Sequence, residues 1–240
     1  MSARVLASCL LLAFCSLASC LTPTPTWYGK PDQELEALLS QLRDVRGGAF
    51  EGEASRAPES PQEGELVRAI EALSLTYPSH VPVLVACASL AYERSDSVRA
   101  QKLLDQALAI RPDHVPATLL RVRIASEAGN LPYARRRLTE QLQLTPDDSV
   151  LHEAYAGVLY LLGDYEEALL ELDLSDRLRR APQGGWSTNY HRGLIAEAQG
   201  DLGAALGYYQ LSCAQNTEFE PAARRRRWLE GRGTQDMPQP

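Results

Sequence analysis

Cys20 is the residue in this sequence best placed for covalent chemistry. It follows one basic residue, Arg4, an apolar run from Val5 to Leu17 and two small residues. The run is shorter than the roughly 20 apolar residues that a membrane-spanning helix needs, and its flanks are typical of a secretory signal peptide. The pattern predicts a signal peptide over residues 1–19, and it leaves a nucleophilic thiol at the start of the mature chain.

The sequence Leu17-Ala18-Ser19-Cys20 resembles the lipobox of bacterial lipoproteins. That resemblance implies that Cys20 is acylated and that two or three acyl chains hold the protein durably at a membrane. The alternative is a secreted protein with a chance cysteine at its cleavage site. Leu21 replaces the Asp that retains enteric lipoproteins in the inner membrane, which favours the outer membrane and a protein that faces the periplasm.

Residues 20–33 are predicted to form a flexible tether after the lipidated cysteine. The Thr-Pro alternation that follows Leu21 cannot form a helix, because proline lacks an N–H donor and has a fixed φ. Further along, we expect a helix and a flexible loop over 34–65, a helical solenoid with a C-terminal cap over 66–230 and a disordered tail over 231–240.

Composition and missing motifs exclude several functions. The net charge of −7 argues against nucleic acid as a partner, since phosphates require a basic surface. The sequence has no P-loop, no zinc-protease motif and no nucleophile elbow, so we expect no enzyme and no cofactor. The four histidines do not share one register of the repeat described below, because two fall at turns between repeats and two fall inside first helices, so we expect no metal site. They are His80, His114, His152 and His191.

An internal period of 34 residues organises most of the chain. Pro78, Pro112 and Pro146 are each 34 residues apart, and the pairs Gly129-Asn130 and Gly163-Asp164 keep the same period. Each pair separates two apolar-periodic segments of helical length, and each proline follows the second segment. This helix–turn–helix unit resembles the tetratricopeptide repeat (TPR), which implies an all-α solenoid.

Four full TPR units and a partial one before them, at about residues 66–78, carry the resemblance. The full units begin at Val81, Val115, Ser149 and Trp186. The family has small residues at positions 8, 20 and 27 and a large apolar residue at position 24, so that successive helices can approach closely. The first unit matches fully, with Ala88, Ala100, Leu104 and Ala107. The second unit departs at Val122 and Gln141, and the third and fourth have their prolines late, at Pro182 and Pro221. Position 27 holds Ser175 and Ser212 in these two units. Pro221–Glu230 is expected to add a capping helix.

The TPR resemblance also implies a concave groove lined by the first helix of each unit. The family's groove positions correspond to Val85, Ser89, Tyr92, Glu93, Leu119, Arg123, Ser126, Glu127, Glu153, Gly157, Tyr160, Leu161, Tyr190, Leu194 and Glu197. The tyrosines and Arg123 are candidate anchors for a partner, because aromatic residues and arginine dominate interface energetics. Ordinary packing between repeats is the alternative role for some of them.

The run Arg224, Arg225, Arg226 and Arg227 is the strongest local concentration of charge. It is either a solvated helix end or a basic patch for an acidic partner or lipid headgroups.

A protein that combines this lipobox with these repeats resembles the pilotins of type IV pili. Pilotins are outer-membrane TPR lipoproteins that assist secretin assembly. The resemblance implies an envelope protein, such as the secretin, as the partner in the groove, and the lipid as the contact with the membrane. Two alternatives stay open. They are an adaptor for peptidoglycan hydrolases or a periplasmic protease, and a structural component of gliding motility or the cell surface.

Overall fold

The computed structural model describes residues 30–46, 60–181 and 183–231. Cys20, most of the tether and the segment 47–59 lie outside the described residues. The described residues form eleven α-helices and no strand, so the all-α fold class is confirmed. In this part of the chain, no helix combines the length and apolarity needed to cross a membrane. The chain divides into two compact units, residues 1–83 and 84–240, which are described in turn.

The first unit contains a pair of packed helices, α1 (Pro31–Val45) and α2 (Pro61–Thr76). Leu42 of α1 and Val67 of α2 are fully buried. An ion pair joins Arg46 Nε, just after α1, to Glu63 Oε1 of α2 at 2.7 Å.

Both helices of this unit begin earlier than the sequence analysis places them. Helix α1 begins three residues before the boundary expected at residue 34, and α2 begins five residues before the one expected at residue 66, because each helix starts at a proline. Proline suits that position, since its missing N–H would have no partner inside the helix. At α2 the side chain of Ser60 also accepts the N–H of Glu63 at 3.1 Å, which caps the helix.

From Val81 onward the helices follow the repeat pattern. They are α3 (Val81–Glu93), α4 (Ser97–Ile110), α5 (Val115–Glu127), α6 (Leu131–Leu144), α7 (Ser149–Leu162), α8 (Tyr165–Arg179), α9 (Trp186–Ala198), α10 (Leu202–Gln215) and the cap helix α11 (Glu220–Gly231). Helices α3, α5, α7 and α9 start at the residues predicted to open each repeat, so they are the A helices of four units. Helices α4, α6, α8 and α10 are the B helices.

The small and large repeat positions form the core of the solenoid. In every unit the residues at positions 8, 20, 24 and 27 are buried, including the fully buried Leu104, Leu138 and Leu172. The polar residues at position 27 are buried with hydrogen-bond partners. Ser175 Oγ donates to the carbonyl of Ser149 at 2.8 Å, and Ser212 Oγ donates to that of Trp186 at 2.7 Å. Each serine therefore ties its B helix to the first residue of its A helix, which explains how a polar side chain is accommodated in the core.

The turn between helix A and helix B has the same backbone conformation in all four units. The first residue of each turn marker, Ser95, Gly129, Gly163 or Gly200, is left-handed, with φ between +62° and +85°. The next N–H then reaches back to helix A, as in Asp164 N to the Leu159 carbonyl at 2.9 Å. The side chains of Asp96, Asn130 and Asp201 in turn cap the following helix.

The third unit is longer than the others. Its turn residues Gly163-Asp164 and the corresponding pair Gly200-Asp201 are 37 residues apart, whereas earlier pairs are 34 apart. Helix α8 has 15 residues where the other B helices have 14, and six residues rather than four connect it to the next A helix. The connection begins with Arg180 at φ +55°, a left-handed conformation that is rare for a residue with a side chain.

Two alanine substitutions of glycine should have opposite effects on stability. Gly163→Ala should lower the free energy of unfolding by about 1–2 kcal/mol, because φ is +85° there and a Cβ is disfavoured. Gly207→Ala, inside α10, should raise it by about 0.5–1 kcal/mol, because alanine is the better helix former. An added Cβ meets nothing within 4 Å at either site, so urea unfolding measures backbone effects alone. If the two variants changed the free energy of unfolding equally, the left-handed turn at Gly163 would be contradicted.

Candidate protein-interaction groove

A groove opens along the A helices of the last three units. Helix α7 contacts α5 on one side and α9 on the other. The cavity between them has a volume of about 390 Å³ and takes residues from all three helices. Its walls are mainly aliphatic. Val150 and Leu161 are 46% and 53% exposed, so two large apolar side chains at this groove face solvent.

About half of the residues assigned to the groove from the sequence line this cavity. They are Leu119, Arg123, Ser126, Glu153, Gly157, Tyr160, Leu161 and Leu194. The cavity is also lined by residues that the repeat positions did not indicate, namely Val122, Val150, Ala154, Val158 and His191. Helical periodicity could have indicated Val150, Ala154 and Val158, which are spaced by four residues and lie on one side of α7.

Gly157 leaves an open place in the floor of the groove. A Cβ built on it would lie 3.6 Å from His191 Nε2, an ordinary contact distance. A methyl group would therefore fit at this position, and its absence leaves space in the floor beside His191 of α9.

The charged groups at the floor are paired with one another. Glu153 Oε2 lies 2.5 Å from Arg179 Nη2, and its other oxygen lies 3.9 Å from His191 Nδ1. Burial lowers the pKa of His191, and the Glu153 carboxylate opposes that shift. Arg179 also donates from Nε to Ser149 Oγ at 3.2 Å. The acidic residue thus has its charge balanced inside the protein, and the floor is close to neutral.

Tyr92, Arg123 and Glu127 form a cluster between α3 and α5. The Tyr92 hydroxyl donates to Glu127 Oε1, and Arg123 Nε lies 3.6 Å from the same oxygen. The Arg123 guanidinium lies 5.8 Å from the centre of the Tyr92 ring. Burial and the neighbouring carboxylate raise the pKa of Tyr92 to about 12. The tyrosine therefore serves at least to join the first two units.

The other predicted residues of α3 do not line the cavity. Ser89 Oγ donates to the carbonyl of Val85 in the same helix at 3.1 Å, and the Glu93 side chain is exposed.

Tyr190 and Glu197 lie where α9 meets the cap helix and α10. The Tyr190 ring packs edge-on against Phe219 at 5.0 Å and lies 5.9 Å from the Tyr209 ring. Glu197 accepts the Tyr209 hydroxyl at 2.7 Å and Arg225 Nη1 at 2.6 Å. Burial, followed by the bond to Glu197, raises the pKa of Tyr209. Tyr190 and Glu197 thus support the cap, whereas Leu194 of the same helix lines the groove.

The basic run on α11 is matched by carboxylates. Arg225 pairs with Glu197 as above, Arg226 Nε lies 3.7 Å from Glu230 Oε1, and Arg227 Nη2 lies 2.5 Å from Glu220 Oε1. Each of these three arginines therefore has an acidic partner within the chain, and this arrangement favours a structural role for the run over a free basic patch.

The histidines lie apart from one another, as their repeat positions indicate. His152 is buried, with Nδ1 2.5 Å from Glu171 Oε2 and Nε2 2.7 Å from the Pro146 carbonyl. The His114 side chain caps α5 by accepting the N–H of Ala117 at 3.2 Å. Among the described residues, no group of three His, Cys, Asp or Glu side chains could hold a metal ion. Cys87 and Cys213 are buried free thiols.

Comparison with known proteins identifies the class. The tetratricopeptide-repeat family model matches residues 91–154. A TPR protein of Parabacteroides merdae is 16% identical, covering 84% of this chain and 78% of its own, with a TM-score of 0.59. A thermophilic TPR protein of Thermus thermophilus is 14% identical, covering 83% and 98%, with a TM-score of 0.64. MamA of Desulfovibrio magneticus, from residue 41 on, is 14% identical, covering 80% and 98%, with a TM-score of 0.54.

This chain therefore has the tetratricopeptide-repeat fold, and the family model itself covers residues 91–154. Identities of this size establish the architecture alone. None of the curated proteins compared with this chain matches it significantly in sequence.

Removal of the Glu197 carboxylate should cost more stability than removal of the one at Glu127. Glu197→Ala leaves the buried Tyr209 hydroxyl and Arg225 without their acceptor, so the free energy of unfolding should fall by about 1–3 kcal/mol. Glu127→Ala removes only exposed contacts and should cost less than about 1 kcal/mol. Urea unfolding of both variants measures the difference. Equal losses would show that Glu197 does not anchor the cap.

Proposed function

We propose that this protein is a membrane-anchored scaffold of the bacterial cell envelope and that its groove binds a segment of another envelope protein. The observation that carries the proposal is the groove across α5, α7 and α9, in which large apolar side chains are exposed while the charges are paired internally. Exposed apolar side chains grouped in a concave surface are a feature of protein-binding sites.

The chemistry of the groove favours a neutral segment with apolar side chains. An acidic peptide would find no unpaired cation at the floor, because Arg179 is already bound to Glu153. A basic peptide would have to compete with Arg179 for that carboxylate. An aliphatic side chain, by contrast, could cover Val150 or Leu161 and remove apolar surface from water.

The sequence before the solenoid supports a place for this binding. Leu17-Ala18-Ser19-Cys20 resembles a lipobox, and the Thr-Pro tether after it would hold the repeats away from a lipid surface. A lipoprotein of TPR repeats at the outer membrane resembles the pilotins. The proposed particular role is therefore assembly of an outer-membrane secretin for type IV pili, with a secretin segment in the groove.

The groove proposal predicts that new charge will abolish function without unfolding the protein. Val150→Asp combined with Leu161→Asp would place carboxylates in the apolar groove. In cells, the secretin should then fail to form multimers, as in a deletion strain, while the circular dichroism and melting temperature of the purified variant stay close to wild type. Leu170→Asp, at a 66% exposed leucine on α8 outside the groove, is the matched control.

A blot for secretin multimers and a pilus-dependent motility assay distinguish the outcomes. If multimers and motility are normal in the deletion strain, the secretin role is wrong. If they are lost in the deletion strain but normal in the double variant, the partner binds outside the groove.

The anchor proposal predicts a change of cell fraction. Cys20→Ala removes the only thiol at the predicted cleavage site, so labelling with a tagged fatty acid should be lost and the protein should leave the membrane fraction. Cys213→Ala, at a buried thiol, serves as the control and should keep both. Unchanged labelling of the Cys20 variant would contradict lipidation there.

A further inference from the structure

The long connection between α8 and α9 builds a second cavity, which shares no residue with the groove. Its volume is about 790 Å³, and its walls come from α8, the connection, α9 and α10. The other units, with four-residue connections, lack the extra residues that form it. In repeat proteins, insertions within a single repeat often provide a binding surface.

Asp176 ties the end of the connection and the start of α9 to α8. This buried carboxylate accepts the N–H of Gly185 at 3.0 Å and the Thr188 hydroxyl at 2.8 Å on Oδ1. Its Oδ2 lies 2.6 Å from Arg192 Nη2. Asp176 is therefore fully engaged inside the protein and is not available to a ligand.

Gly184 lies in a tightly packed part of the cavity wall. Its φ is +75°, and a Cβ at this position would lie 2.7 Å from Arg192 Nη1 and 2.8 Å from Asn189 Oδ1. Gln215 Nε2 also donates to the Gly184 carbonyl at 2.9 Å, and Asn189 Nδ2 donates to that of Gln183 at 3.1 Å. These hydrogen bonds already order the surface in the free protein. Ligand binding therefore avoids the entropic cost of ordering it.

The cavity carries an excess of positive charge in an acidic protein. Its charged lining comprises two aspartates and three arginines. Arg192 lies between Asp173, at 2.8 Å, and Asp176, so it is balanced. Arg177 and Arg180 are exposed, and among the described residues neither has an ion pair. The one side-chain bond of Arg177 runs from Nε to the backbone carbonyl of Asp173 at 3.2 Å.

An apolar ledge on α10 continues from this charged end. Tyr208 and Leu211 line the cavity and the neighbouring depression, and Leu211 is 45% exposed. The rest of the ledge includes the small residues Ala204, Gly207 and Ala214. A ledge of small residues accepts side chains from a partner, whereas a face that enters a bilayer presents large protruding apolar groups.

We propose that this cavity binds an acidic segment of a partner protein. A carboxylate of that segment pairs with Arg177 and Arg180, and an aliphatic side chain beside it covers Leu211. Arginine suits this role because its planar guanidinium can bind a carboxylate through two parallel hydrogen bonds. The site is separate from the groove, so the protein can hold two segments of different chemistry.

The test uses the full chain and a fluorescein-labelled peptide with two glutamates followed by two leucines between glycines. Fluorescence anisotropy should show saturable binding. Arg177→Glu with Arg180→Glu should weaken it by about tenfold or more, because both cations of the pair are reversed. Arg43→Glu with Arg136→Glu, at two exposed arginines elsewhere, makes the same change in net charge and should leave binding unchanged. A peptide with glutamine in place of glutamate should not bind.

Three results would overturn the proposal. They are no binding of the acidic peptide, equal loss in the two double variants, and equal binding of the glutamine peptide. A further arm uses vesicles of phosphatidylcholine and phosphatidylglycerol. If these bind in a manner that depends on Arg177 and Arg180 while the peptide does not, the cavity recognises lipid headgroups instead. Thermal melts of both double variants should match wild type, since each of the four arginines is exposed.

Discussion

The solenoid depends on the close approach of helix A and helix B within each repeat. In the fourth unit Gly193 faces Tyr209. A Cβ on Gly193 would lie 2.4 Å from a carbon of the tyrosine ring, so only glycine allows this helix spacing. In the first unit Ala88 stands at the equivalent position, with the smaller Leu104 on helix B. These two units thus reach close packing with different pairs of residues.

This packing determines where the protein can bind a partner. The A helices α5, α7 and α9 lie side by side because each packs against its own B helix, and a continuous groove results. The groove does not extend over the whole of α9. Tyr209, held at the crossing point, reaches Glu197 with its hydroxyl, and Glu197 binds Arg225 of the cap. The residue that fills the last core therefore also anchors the helix that covers it.

The two proposed binding surfaces differ in charge, because their ionised side chains are paired differently within the protein. Arg179 and Glu153 neutralise each other beneath the groove, which leaves aliphatic side chains as its main exposed feature. At the long connection, Asp176 is used to hold the loop, and Arg177 and Arg180 remain as surplus cations. A scaffold with one neutral, apolar surface and one cationic surface could bring two different segments together. A lipid at Cys20 would bring both to the same membrane.

The sequence by itself determined the fold class, the four helix pairs and the residues at which each A helix begins. These features are local or periodic, since helix periodicity, left-handed turn residues and capping side chains act over a few positions. The sequence also contains the information that predicts the early starts of α1 and α2, because Pro31 and the Ser60-Pro61 pair are helix-start signals.

Only the tertiary structure decided which predicted groove residues line a cavity and which have other partners. Tyr92 and Glu127 are adjacent through packing of α3 and α5, and Tyr190 lies against Phe219, just before the cap helix. No local pattern contains these contacts, because they join residues that are far apart in sequence. The same reason applies to Arg180. The altered period of the third unit was visible in the sequence, but the exposed cation beside a cavity depends on how α8, α9 and α10 pack around the longer connection.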